Sequence, residues 1–90
     1  MKTTDYESWW GMECPTRNME KVSYHLIEEA IELRNANTVE DVLLESGDCL
    51  AYITLTLIEH GLTIQQAMDA NVEKLTNRKK YGKGKHGKRS

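Results

Sequence analysis

Phenylalanine is absent from this 90-residue chain, proline occurs once, at Pro15, and only two cysteines are present, Cys14 and Cys49. The cysteines form no C-x-x-C pair, which excludes the usual spacing of a zinc site or a disulfide framework. Cys49 sits in an apolar run and reads as a small packed hydrophobe. With one proline, long stretches are free of a helix breaker. No apolar run approaches the length of a membrane span, and Met1 to Asp5 has no signal-peptide apolar core. A cytoplasmic protein without a membrane partner is expected.

Charge is plentiful but unevenly placed. The net charge is −2. Seven of the 12 basic side chains (Arg78, Lys79, Lys80, Lys83, Lys85, Lys88 and Arg89) crowd the last thirteen residues, and all 14 acidic groups precede them. An acidic body suits the holding of cations and argues against a nucleic-acid-binding face on the fold itself.

The apolar pattern predicts an all-α domain over residues 1–82, followed by a basic, flexible tail over 83–90. Thr4-Asp5-Tyr6-Glu7 has capping-box spacing and predicts a short first helix to about Met12, ended by Gly11 and Cys14-Pro15. A second helix is expected from near Thr16 to about Ala36, with Leu26, Ile27, Ala30, Ile31 and Leu33 on its apolar side. Thr38-Val39-Glu40-Asp41 caps a third helix and places acids in its first turn. Its apolar positions become nearly continuous after Asp48, which implies burial on more than one face. The β-branched run Ile53 to Thr56 suits a strand, but it lies within a longer periodic segment and is read as helix. Gly61 fits a helix C′ position. Thr63-Ile64-Gln65-Gln66 opens a fourth helix striped by Ile64, Ala67, Met68, Val72 and Leu75. So short a chain buries a limited core alone. The expected architecture is a helical hairpin or four-helix-bundle type domain completed by oligomerisation, as a homodimer or homotetramer.

Two acidic clusters carry the chemistry. Glu28-Glu29-Ala30-Ile31-Glu32 and Glu45-Ser46-Gly47-Asp48 place acids three and four residues apart, so each set projects from one side of its helix. A short connection makes the two helices antiparallel neighbours. Facing carboxylates repel, and a hard divalent cation removes that conflict; magnesium takes oxygen ligands and commonly keeps waters and phosphate oxygens. A solvated acidic helix face accounts for either cluster alone. Asn71, Lys74 and Arg78 fall at i, i+3 and i+7 and so share a face of the last helix. Trp9, Trp10, Tyr24 and Tyr52 offer stacking surfaces, or they fill a core. His25 precedes Glu29 by one helical turn and either contacts a ligand or packs.

E-E-x-x-E, twelve residues, then E-x-x-D resembles the MazG-like all-alpha nucleotide pyrophosphohydrolases. Asn71-Val72-Glu73-Lys74-Leu75-Thr76-Asn77-Arg78 is similar to the N-x-x-K-x-x-x-R segment on that family's last helix, and the likeness runs over roughly residues 20–82. The resemblance implies an oligomeric helical bundle with a Mg2+ cofactor, for which Mn2+ could substitute. The implied reaction hydrolyses a nucleoside triphosphate, a deoxynucleotide in the favoured case, to the monophosphate and pyrophosphate. Carried over by position, Glu29, Glu32, Glu45 and Asp48 would be metal ligands. Glu28 or Glu32 would take the proton of the attacking water. Lys74 and Arg78, with Asn71, would hold phosphates. Trp9, Trp10, His25 and Tyr52 are the candidate base contacts. The tail is read either as a lid using Lys83, Lys85 and Arg89 or as a basic terminus. The alternatives are a phosphoribosyl-ATP pyrophosphatase, which has a similar acidic helix pair, and a non-catalytic helical interaction module.

Overall fold

The computed structural model describes residues 1–81; the tail, and the lid reading placed on it, lie outside the described residues. Four helices follow in order: α1 (Thr3–Glu13), α2 (Met19–Arg34), α3 (Val39–Glu59) and α4 (Ile64–Tyr81), with no strand among the described residues. The short turn at 35–38 folds α3 back along α2, and this hairpin is the main packing of the chain. The first helix packs on α3, and α4 packs on α1. No helix among the described residues is long and apolar enough to cross a membrane.

The starts of α3 and α4 obey local chemistry. The Thr38 hydroxyl accepts the Asp41 N–H at 3.0 Å. Thr63 accepts the Gln66 N–H at 3.0 Å, while Gln66 Oε1 accepts the Thr63 N–H at 2.9 Å, a reciprocal capping box. At the end of α3, Gly61 takes φ +70°. Its N–H donates to the Ile58 carbonyl and that of Leu62 to the Leu57 carbonyl, so the helix closes in a Schellman motif. The β-branched run is helical. Within it, the Thr54 and Thr56 hydroxyls donate back to the Leu50 and Tyr52 carbonyls at 2.7 and 2.9 Å, and Thr54 is fully buried.

Two helix starts differ from the sequence reading. The first helix begins after Lys2 without a side-chain cap. Glu7, expected to close a box with Thr4, instead accepts the Ile64 N–H at the start of α4, where unpaired donors and the positive end of the helix dipole favour a carboxylate. Gly11 lies inside α1, and the break falls at Cys14, the residue restricted by Pro15. The second helix begins at Met19, because Asn18 provides the cap to the Lys21 N–H and Arg17 is engaged elsewhere. Arg17 donates to the Cys14 carbonyl at 2.6 Å and pairs with Glu59 at 3.2 Å, tying the α1–α2 connection to the end of α3.

The buried core of the described residues is small: Val22, Ala51 and Leu55, with Thr54. Tyr24, Ile27 and Ile31 on α2, Val39, Leu43, Leu44, Leu50 and Ile53 on α3, and Met68, Val72 and Leu75 on α4 are all exposed in the single chain.

Candidate metal centre

Glu29 and Glu32 lie one helical turn apart on α2, and Glu45 faces them from α3. Each offers a carboxylate oxygen, and the three oxygens lie within 4.8 Å of one another. Glu29 and Glu45 are half-buried, whereas Glu32 is exposed. With the acids ionised, Glu45 Oε1 is buried and has no hydrogen-bond partner among the described residues. A buried acceptor without a donor is costly.

The crowding shows in the protonation of Glu29. Its carboxyl is pushed up from 4.5 to about 7. The largest cause is the hydrogen bond its protonated form makes with Glu45; burial comes next, and repulsion by Asp48, Glu45 and Glu32 completes the shift. Asp48 therefore stands close enough to Glu29 to act on it, although it is outside the three-oxygen group. Burial raises the Cys49 thiol, and Glu29, Asp48 and Glu45 raise it further. Cys49 is half-buried at the edge of this negative field.

Glu28 turns elsewhere. Its carboxylate meets His25 Nδ1 at 3.1 Å, one turn earlier on α2. The His25 ring stacks on Tyr52 of α3, with centroids 5.4 Å apart and planes at 26°. Tyr52 is itself raised by burial first, then by Glu29, Asp48, Glu28 and Cys14. A bridging aromatic pair thus borders the carboxylates. Trp9 and Trp10 form a different cluster. They meet edge to face at 5.0 Å, and Tyr6 approaches Trp10 at 6.4 Å. Trp10 Nε1 is buried without a partner among the described residues.

On the side of the cluster nearer the 35–38 turn, a cavity of about 360 Å3 is lined by Ile31, Glu32, Asn35, Ala36, Asp41 and Glu45. Asn35 and Asp41 are site candidates the sequence reading missed. Asp41 was assigned to the capping segment and the helix dipole, yet it precedes Glu45 by four residues and so shares its side of α3. Asn71 and Lys74 are exposed and Arg78 is half-buried on α4. That helix packs on α1, so the three are placed by a different part of the fold from the hairpin that carries the acids.

The donor set is all oxygen and is drawn from two helices. These features fit a hard divalent cation such as magnesium or manganese better than zinc, which favours nitrogen and sulfur. No family model matches the chain, and neither a curated protein nor a solved structure matches it.

Proposed function

We propose that the chain is a magnesium-dependent nucleoside triphosphate pyrophosphohydrolase of the MazG-like kind, acting as a homo-oligomer on a soluble nucleotide in the cytoplasm. The observation that carries this reading is the convergence of Glu29, Glu32 and Glu45 from two antiparallel helices. The motif resemblance in the last helix supports it.

In this reading Glu29, Glu32 and Glu45 would hold Mg2+, with Asp48 completing the set. Bound there, the ion would neutralise phosphoryl oxygens and lower the pKa of a coordinated water. Glu32, the exposed member of the trio, would be placed to accept a water's proton, or Glu28 from its position beside His25. The His25–Glu28 pair orients that carboxylate. Lys74 supplies a point charge and Arg78 a planar fork for phosphate oxygens, with Asn71 beside them. The His25–Tyr52 stack offers a flat surface for a base at the edge of the cluster.

The test is a panel of ribo- and deoxynucleoside triphosphates with Mg2+ or Mn2+, following pyrophosphate release. Metal-dependent release of pyrophosphate with the monophosphate as co-product is expected. Release of orthophosphate alone, or no turnover of any member, would contradict the assignment. Turnover of phosphoribosyl-ATP in preference to the whole panel would favour the related pyrophosphatase.

A further inference from the structure

Charge is sorted along this chain. Residues 1–77 hold all 14 acids and five of the 12 basic groups, a net −9, while residues 78–90 hold the other seven basic groups and no acid. Those seven begin on α4, which packs on α1 and runs to Tyr81. From Gln65 to Asn77 every residue of this helix is exposed in the single chain, and Lys79 is exposed near its end.

Two ordinary reasons for such cations fall short. Basic side chains in the last turn of a helix complement its dipole, but that effect fades within the turn. It accounts for Arg78, Lys79 and Lys80 and leaves Lys83, Lys85, Lys88 and Arg89, which follow Tyr81. Solubility is the second reason. A net charge far from zero keeps proteins soluble, and the basic end brings −9 back to −2.

We propose that residues 79–90 bind the phosphate backbone of single-stranded nucleic acid without regard to its sequence. Lys79, Lys80, Lys83, Lys85, Lys88 and Arg89 supply the cations that neutralise phosphates. Tyr81 and His86 are interleaved with them, and aromatic rings among cations give unpaired bases a surface to stack on. A membrane surface also attracts cations. Stable anchoring there takes a second, apolar signal, and residues 79–90 contain no Leu, Ile, Val, Met, Trp or Phe.

The acidic body repels the same strand. At physiological salt that repulsion fades over about 8 Å. Residues 82–90 span at most about 30 Å when extended, so the cations after Tyr81 can meet a strand beyond the reach of the body's field. The binding uses neither the carboxylate cluster nor Asn71, Lys74 and Arg78, so it stands or falls independently of the hydrolase reading.

The experiment is fluorescence anisotropy of a labelled oligothymidine of about 20 nucleotides, titrated with the full chain. With six cations engaged on a single strand, the logarithm of the affinity should fall against that of salt with a slope of about −4. Affinity should then drop roughly 300-fold between about 50 and about 200 mM salt. Lys83→Gln, Lys85→Gln, Lys88→Gln and Arg89→Gln, combined in one chain, lie after the last helix. Circular dichroism should stay unchanged, and binding should weaken at least tenfold. Changing the same three lysines to Arg keeps the charge and should keep the affinity. Lys2→Gln with Lys21→Gln removes cations from the body and should leave binding as it was. A wild type that does not bind the oligonucleotide at low salt would overturn the proposal, as would undiminished binding by the fourfold Gln variant. So would tighter binding to vesicles of anionic phospholipid, or full displacement of the oligonucleotide by a nucleoside triphosphate at equal phosphate concentration.

Discussion

Adjacent residues on α2 have different fates, and 100° of helix rotation separates them. Glu29 turns toward α3 and its carboxyl rises to about 7, while Glu28 pairs with His25 at the margin. The raised carboxyl makes stability depend on pH. The folded state holds the Glu29 proton more tightly than the unfolded state does, so folding is favoured while that proton is on. The metal-free protein should therefore be most stable below about pH 4.5 with respect to this group. That contribution should be lost as pH rises to about 7. Melting temperatures measured across this window in chelator should fall with pH, and Glu29→Gln should flatten the slope. An identical slope in the variant would mean that Glu29 is not the group responsible. Removing a charge from the proposed cation site should act on chemistry instead. Glu32→Gln and Asp48→Asn are each expected to abolish pyrophosphate release while circular dichroism stays helical. Wild-type turnover in both would remove these acids from the site.

The elements show where local sequence chemistry is enough and where it is not. The caps of α3 and α4 were legible because Thr38 and Thr63 bond within their own first turns. Gly61 was legible as a helix end because the Schellman turn needs a left-handed residue there. Glu7 was misread, and Arg17 was given no role, for the opposite reason. Their partners, Ile64 and Glu59, lie 57 and 42 residues away, and no local pattern announces such a bond. The acidic trio was legible as a set of spacings. Its membership depended on the rotation of α2 against α3, which spacing leaves open, and Asp41 was missed because one role already explained it. At this scale, Gly61→Ala should cost about 1–2 kcal/mol, the strain of placing a Cβ in the left-handed region. A thermal melt should show a loss of several degrees; no loss would mean that the α3–α4 turn can close in another way. Lys74→Ala tests whether α4 meets the substrate. An increased KM or a reduced kcat is expected, and unchanged kinetics would withdraw α4 from phosphate binding.

At the scale of the whole molecule, a small buried core coexists with long apolar stripes on α2, α3 and α4. Such a chain gains little from its own packing, so in the proposed reading a bound cation and partner copies would contribute a large share of its stability. The acidic hairpin would be the part most exposed to this dependence, because its carboxylates oppose one another. The most direct measurement is the thermal stability of the wild-type chain in chelator and in millimolar Mg2+ near pH 7.5, beside Glu45→Gln. A cation held by Glu29, Glu32 and Glu45 should raise the wild-type melting temperature. The gain approaches about 2.7 kcal/mol when the ion stands at a hundred times its dissociation constant, and most of it should vanish in Glu45→Gln. A wild-type melting temperature indifferent to Mg2+, or an equal rise in the variant, would contradict the metal centre.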